Sequence, residues 1–132
     1  MTQISGYATI YNFVDSDRDV IIKGSLSNAN DEFYLYWQHD LNHRVGKINS
    51  LYDDERGIFI KAEIFNHHPN SHAISKAIRE HKVTGLSIGF KPLATKLVKS
   101  KKIRIIKQLK LFEISIVTFP ANELSQIRSI SF

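Results

Sequence analysis

Gly57-Ile58-Phe59-Ile60-Lys61-Ala62-Glu63-Ile64-Phe65 puts Ile58, Ile60, Ala62 and Ile64 on one side of an extended chain and the charged Lys61 on the other. Period-two alternation of this kind is the signature of a strand with one buried face. Residues 6–13, 33–38, 44–52, 84–91 and 109–119 share the character: they are rich in β-branched and aromatic residues and are separated by Asp, Asn and Gly. Asp53-Asp54-Glu55-Arg56-Gly57 reads as the hairpin turn that leads into the first of these strands. Between Asn70 and His81 the period changes, with Ala73, Ile74, Ala77 and Ile78 at helical spacing after Pro69. A shorter helical turn is expected at 25–31 and a terminal helix at 122–130. The fold class is therefore mainly β with a few helices (α+β). An open sheet of so many strands would leave edges to be managed, so a closed or partly closed, antiparallel-rich β-barrel is expected. No repeat or linker divides the chain, which reads as one domain over 1–132.

At 132 residues, such a domain buries roughly two-thirds of the surface its unfolded chain exposes. There are no cysteines, which removes disulfide frameworks, thiol catalysis and cysteine-rich zinc sites and fits a reducing compartment. The amino terminus lacks the basic start and apolar run of a secretion signal, and nothing approaches the roughly 20 apolar residues of a membrane span. A soluble protein that is not exported is expected. The net charge of +5 is a mild excess, concentrated between Lys96 and Lys110, which permits a polyanionic partner without demanding one.

Gly85-Leu86-Ser87-Ile88-Gly89 raises the question of serine chemistry. The nucleophile elbow of α/β-hydrolases runs serine, acid, histidine along the chain. Here every histidine precedes Ser87, so that arrangement is excluded. What the order allows is an exposed serine on a strand, His39 upstream in Trp37-Gln38-His39-Asp40, and Glu113 downstream in Phe112-Glu113-Ile114-Ser115-Ile116-Val117. In an extended segment Gly85, Ser87 and Gly89 share a face, so backbone could approach Ser87 closely; a strand whose glycines merely accommodate a tight crossing fits the spacing too. His39, at a strand end beside aromatic bulk, suits a general base or a packed histidine bonded to Asp40. Glu113 has apolar neighbours on both faces and needs a partner, either the histidine or a basic side chain.

Taken in order, Gly6-Tyr7-Ala8, Asp19-Val20-Ile21 with Gly24, Trp37-Gln38-His39-Asp40, Val45-Gly46, Asp54-Glu55-Arg56-Gly57, Gly85-Leu86-Ser87-Ile88-Gly89-Phe90 and Glu113-Ile114-Ser115-Ile116-Val117-Thr118-Phe119-Pro120-Ala121-Asn122 span nearly the whole chain. The chain resembles the prohead maturation proteases of tailed bacteriophages, serine peptidases similar in fold to the herpesvirus assemblins. The resemblance implies a catalytic triad of His39, Ser87 and Glu113. It also implies cleavage of the scaffold segment of a capsid protein, or of a separate scaffold protein, and of the protease itself, inside an assembling procapsid in the bacterial cytoplasm. Self-association into a homo-oligomer is expected on the same ground. Two stretches depart from the family pattern, Ser25-Leu26 after Gly24 and Glu123 after Asn122; neither touches the three site residues. The chain ends soon after the last motif, as a minimal or processed form or a prophage remnant would.

Six histidines, with His39 and His43 four apart and His67, His68 and His72 clustered, raise zinc as an alternative. His67-His68-Pro69 reads as a turn, and no metalloprotease helix motif accompanies the pair, so neither a metal nor another cofactor is expected. A non-catalytic capsid-assembly or nucleic-acid-binding module is the other alternative, using Lys96, Lys99, Lys101, Lys102, Arg104 and Lys107. That run alternates with apolar residues and reads more simply as a solvated hairpin with lysine-protected edges. Neither a nucleic acid nor a membrane is the expected partner.

Overall fold

The alternation in 57–65 sets the middle of the molecule. In the computed structural model, which describes residues 2–131, β5 (Gly57–Ile64) has Ile58 and Ile60 at 0% exposure and Ala62 and Ile64 at 1%. It pairs antiparallel with β1 (Thr2–Ile10) on one side and β4 (Asp40–Asp53) on the other. The turn between β4 and β5 is held by Asp54. Its N–H donates to the Gly57 carbonyl at 3.0 Å, and its carboxylate accepts the N–H groups of Arg56 and Gly57. The remaining strands are β2 (Asp19–Ile21), β3 (Tyr34–Trp37), β6 (Gly85–Val98), β7 (Ile103–Val117) and β8 (Ile127–Ser131). One helix, α1 (Ser71–Arg79), lies where the helical spacing predicts and buries Ile74 and Ile78. It is too short to cross a membrane, and no other helix occurs among the described residues.

The sheet runs β2-β7-β3-β4-β5-β1-β8, with β6 pairing β7. It is not closed, which corrects the expected barrel. The reason lies in β7. One of its edges carries β6 along almost its whole length, while the other is divided between β2 and β3, both parallel to it. At the far end β8 pairs with β1. An isolated bridge between Gly85 and Gln126 brings the two ends of the sheet near each other, but no ladder joins them. Beyond Leu86, whose N–H donates to the Ser125 carbonyl at 2.9 Å, β6 pairs with β7 alone among the described residues and presents a free edge.

Two expected helical segments are not helical. At 25–31 the short polar side chains bond to the edge of β7 instead: Ser27 Oγ donates to the Leu109 carbonyl at 2.7 Å, and Asn28 exchanges bonds with the backbone of Leu111 at 2.7 and 2.9 Å. Ser and Asn offer the backbone an alternative to helix, and here the alternative wins. At the carboxyl end, Asn122 is buried and donates to the Ile10 carbonyl at 2.9 Å. The chain then turns and runs as β8 along β1, whose outer edge would otherwise be unpaired.

Candidate functional site

His39 sits in a two-residue turn between β3 and β4. Gln38 and His39 have φ of 51° and 60°, and Trp37 pairs with Asp40 across the turn. Positive φ at both central positions matches the twist of the flanking strands, and histidine is among the non-glycine residues enriched in this left-handed region. The turn is fastened to the end of β7. Gln38 N–H donates to the Ile116 carbonyl at 2.8 Å, its side-chain amide donates to Thr118 Oγ1 at 2.6 Å, and its Oε1 accepts Thr118 N–H at 3.0 Å. The imidazole is thus carried on a braced support, although it sits in a connecting turn.

Glu113 is 3% exposed and stands opposite Gly89 in the ladder between β6 and β7. A β-carbon at Gly89 would come within 2.5 Å of Glu113 Oε1 and 2.7 Å of its Cγ. The carboxylate therefore lies across the space that glycine leaves. Its Oε1 meets His39 Nδ1, and its Oε2 accepts the Ser115 hydroxyl at 2.7 Å. Ser115 Oγ in turn accepts the backbone N–H of His39 at 3.2 Å. These bonds close a ring through His39, Glu113 and Ser115. Because a carboxylate only accepts, the ring places the imidazole proton on Nδ1 and leaves Nε2 as the basic nitrogen. The bond to Glu113, reinforced by its negative charge, raises the His39 pKa above the usual imidazole value, against the opposing effect of burial.

Ser87 pairs with Ser115 two residue pairs along the same ladder. Directly opposed residues project to the same face with β-carbons about 5 Å apart, so Ser87, Ser115 and Glu113 share one face. The sequence reading expects an exposed serine; Ser87 is instead 6% exposed. At Gly85 a β-carbon would come within 2.8 Å of the Pro120 ring, so the segment after β7 folds back over this end of β6. The two glycines flanking Ser87 thus make room for Pro120 and Glu113. Among the described residues the Ser87 hydroxyl has no hydrogen-bond partner, and the bonded nitrogen of His39 is the one facing Glu113.

The three sequence-predicted residues are therefore gathered unequally: His39 and Glu113 are in contact, and Ser87 is beside their brace. Ser115, Gln38 and Thr118 had no assigned role in the sequence. Ser115 was within reach of period-two logic, since a residue two positions beyond Glu113 on a strand must share its face. Of the histidines considered for zinc, His43 meets Asp40 at 3.1 Å and His68 accepts the Asn70 N–H at 3.1 Å. No cluster of three or more metal-ligating side chains occurs among the described residues.

Gly89→Ala tests whether the glycine exists for the carboxylate. At an ordinary strand position the change would be neutral or mildly stabilising; here the buried Glu113 must be displaced, and a stability loss of about 1–3 kcal/mol is expected from overpacking, read by denaturant unfolding.

The family model for caudovirus prohead serine proteases matches residues 1–132. The prohead protease of Enterobacteria phage HK97 is 33% identical over 131 residues, covering 95% of this chain and 58% of that protein. The prohead protease of Escherichia phage T5 is 30% identical over 131 residues, covering 93% of this chain and 60% of that protein. The chain thus spans somewhat over half the length of these curated relatives. Among solved structures, the bacteriophage T4 capsid assembly protease superposes with a TM-score of 0.72 at 14% identity, over 89% of this chain and 82% of that one. A Kaposi's sarcoma herpesvirus protease bound to a hexapeptide phosphonate inhibitor superposes with a TM-score of 0.62 at 12% identity, over 99% of this chain and 65% of that one. The last two show the fold, which is that of the herpesvirus proteases. By the extent of the sequence match, the chain belongs to the caudovirus prohead serine protease family.

Proposed function

We propose that the chain is a serine endopeptidase that cleaves a capsid or scaffold polypeptide within an assembling phage procapsid. The observation that carries the reading is the ring of bonds that fixes His39 on Glu113 and Ser115, on the face that Ser87 shares. In this reading His39 Nε2 takes the Ser87 proton as Oγ attacks the scissile carbonyl. Glu113 holds the imidazole and offsets the charge it gains, and the imidazolium then protonates the departing amine. Water, activated by the same nitrogen, releases the acyl group. The free edge of β6 beyond Ser87 can pair with an extended peptide and so orient it toward the serine.

We infer that full access of a substrate carbonyl to Ser87, which is 6% exposed, requires a shift of the chain packed around it. We assign that shift to self-association, and the specific rate is expected to rise with protein concentration. Co-expression with its cognate major capsid protein tests the reading as a whole: a shortened capsid protein is expected, and full-length capsid protein with Ser87→Ala.

The pH dependence follows from the raised His39 pKa. The base must be neutral to accept a proton, so kcat/KM is expected to rise with pH through a limb set by this elevated value. Removing the Glu113 charge takes away the cause of the elevation, so the limb of Glu113→Gln is expected at lower pH. A limb that stays in place would mean that the bond to Glu113 does not tune His39.

A further inference from the structure

The distal half of the β6–β7 hairpin carries a charge distribution that edge protection does not explain. From Lys91 to Lys110 there are eight basic residues and no acidic one, while the rest of the chain, with ten basic and thirteen acidic residues, is net negative. Edge strands are guarded by charge of either sign; a single sign over twenty residues is a different pattern. It also has a structural cost. Lys91 and Lys110 stand directly opposite each other in the ladder, and like charges so placed destabilise a sheet. All seven lysines are exposed. Among the described residues none of them has an ion-pair partner, and only Arg104 of the eight is neutralised, by Asp19 at 2.8 Å.

The hairpin also borders a groove of about 800 Å³ that begins at Ile88 and Gly89, beside Ser87, and ends at Lys99 and Lys102. Its walls include Phe90, Leu97 and Phe112, and the last two are 65% and 55% exposed. Along its rim Asp17 is outnumbered by Arg18, Lys99 and Lys102, since Asp19 and Arg104 cancel. β6, which contributes to the lining of the groove, has one edge without a partner strand over most of its length among the described residues. A polypeptide can use all three features at once: unpaired backbone, an apolar floor and a cationic rim. A nucleic acid could use only the charge and an exposed ring.

We propose that this groove and the basic turn beyond it form a docking arm for the substrate polypeptide, recognising an acidic segment anchored by apolar side chains. From Ser87 to Lys99 the strand covers about 40 Å at 3.3 Å per residue, so the acidic segment lies on the order of ten residues from the bond that is cut. The assignment of the partner as substrate rests on the peptidase reading of Ser87; the affinity for acidic polypeptide does not.

The test uses the Ser87→Ala chain, so that nothing is turned over, and fluorescence anisotropy with three probes: a 20-residue peptide of Glu and Asp with two Leu, the same peptide with Gln and Asn for the acids, and a mixed-sequence 20-nucleotide single-stranded DNA. The acidic peptide is expected to bind in a salt-sensitive manner, above both other probes, and about tenfold more weakly when Lys99, Lys101 and Lys102 are all changed to Gln, three exposed charges each contributing modestly. Equal binding of the acidic and neutral peptides, equal binding by the lysine variant, or preference for DNA would overturn the proposal. Fluorophosphonate labelling of Ser87 in the wild-type chain, set beside acidic-peptide binding by the Ser87→Ala chain, separates the two claims. Labelling without peptide binding removes the arm alone, whereas peptide binding without labelling removes the peptidase reading and leaves the arm as a docking site.

Discussion

Ser87→Ala is expected to lower peptide-bond cleavage on the order of 10⁴-fold or more while leaving the fold intact. The two halves of that expectation come from the same observation. The side chain makes no hydrogen bond among the described residues, so removing its oxygen breaks no interaction that holds the sheet. Its Cβ remains to pack beside Ser115, its partner in the ladder. The stability change should therefore stay within about 1 kcal/mol, as for substitutions that touch none of the large destabilising mechanisms. The rate loss should be non-additive as well. In a nucleophile–base unit, loss of one member leaves the other without a task, so His39→Ala added to Ser87→Ala should cost little more than either change alone. Single-turnover cleavage of the capsid substrate by the three variants, alongside their denaturant unfolding curves, checks both parts.

Glu113→Gln is expected to reduce the rate by about 10³- to 10⁴-fold, for reasons visible in the ring of bonds. The amide oxygen can still accept the His39 Nδ1 proton. Its NH₂ would then face Ser115 Oγ, which also accepts His39 N–H, and the hydroxyl must rotate away to accept both. Orientation is thus partly retained, while the negative charge that balances the imidazolium is lost. The signature is a fall in kcat with KM little changed, because the missing interaction is made only when charge develops. A comparable rise in KM would mean that Glu113 serves the shape of the binding surface instead.

Much of this architecture was legible in the residues because the deciding forces are local. Ile58, Ile60, Ala62 and Ile64 alternate, and β5 buries them; Ile74 and Ile78 recur at helical spacing, and α1 turns them inward. The order of histidine, serine and acid excluded the hydrolase elbow and left candidates, and the resemblance of the ordered motifs to the prohead proteases supplied the triad. What escaped depended on pairing across the fold. Ile127 and Ile130, three apart, suggest a helix. They belong to β8 because β1 offers an unpaired edge that the sequence of 122–130 does not reveal. Residues 25–31 were claimed by β7 through Ser27 and Asn28. Sheet closure failed because β7 divides one edge between two parallel neighbours. The packing of Pro120 against Gly85, two residues before Ser87, joins residues more than thirty apart in the chain. Gly85 and Gly89 left two readings open, close approach of a substrate backbone or tight packing within the fold, and their missing side chains make room for a proline ring and a carboxylate from the same chain.

The central claim is that Ser87 is an activated nucleophile, and intact-mass analysis after treatment with a fluorophosphonate at high protein concentration tests it most directly. A single adduct is predicted, mapped to Ser87 by peptide mass, absent from Ser87→Ala and from His39→Ala. An adduct on another serine, or one on Ser87 that persists in His39→Ala, would contradict the account, because the hydroxyl would then owe its reactivity to something other than the imidazole held by Glu113 and Ser115.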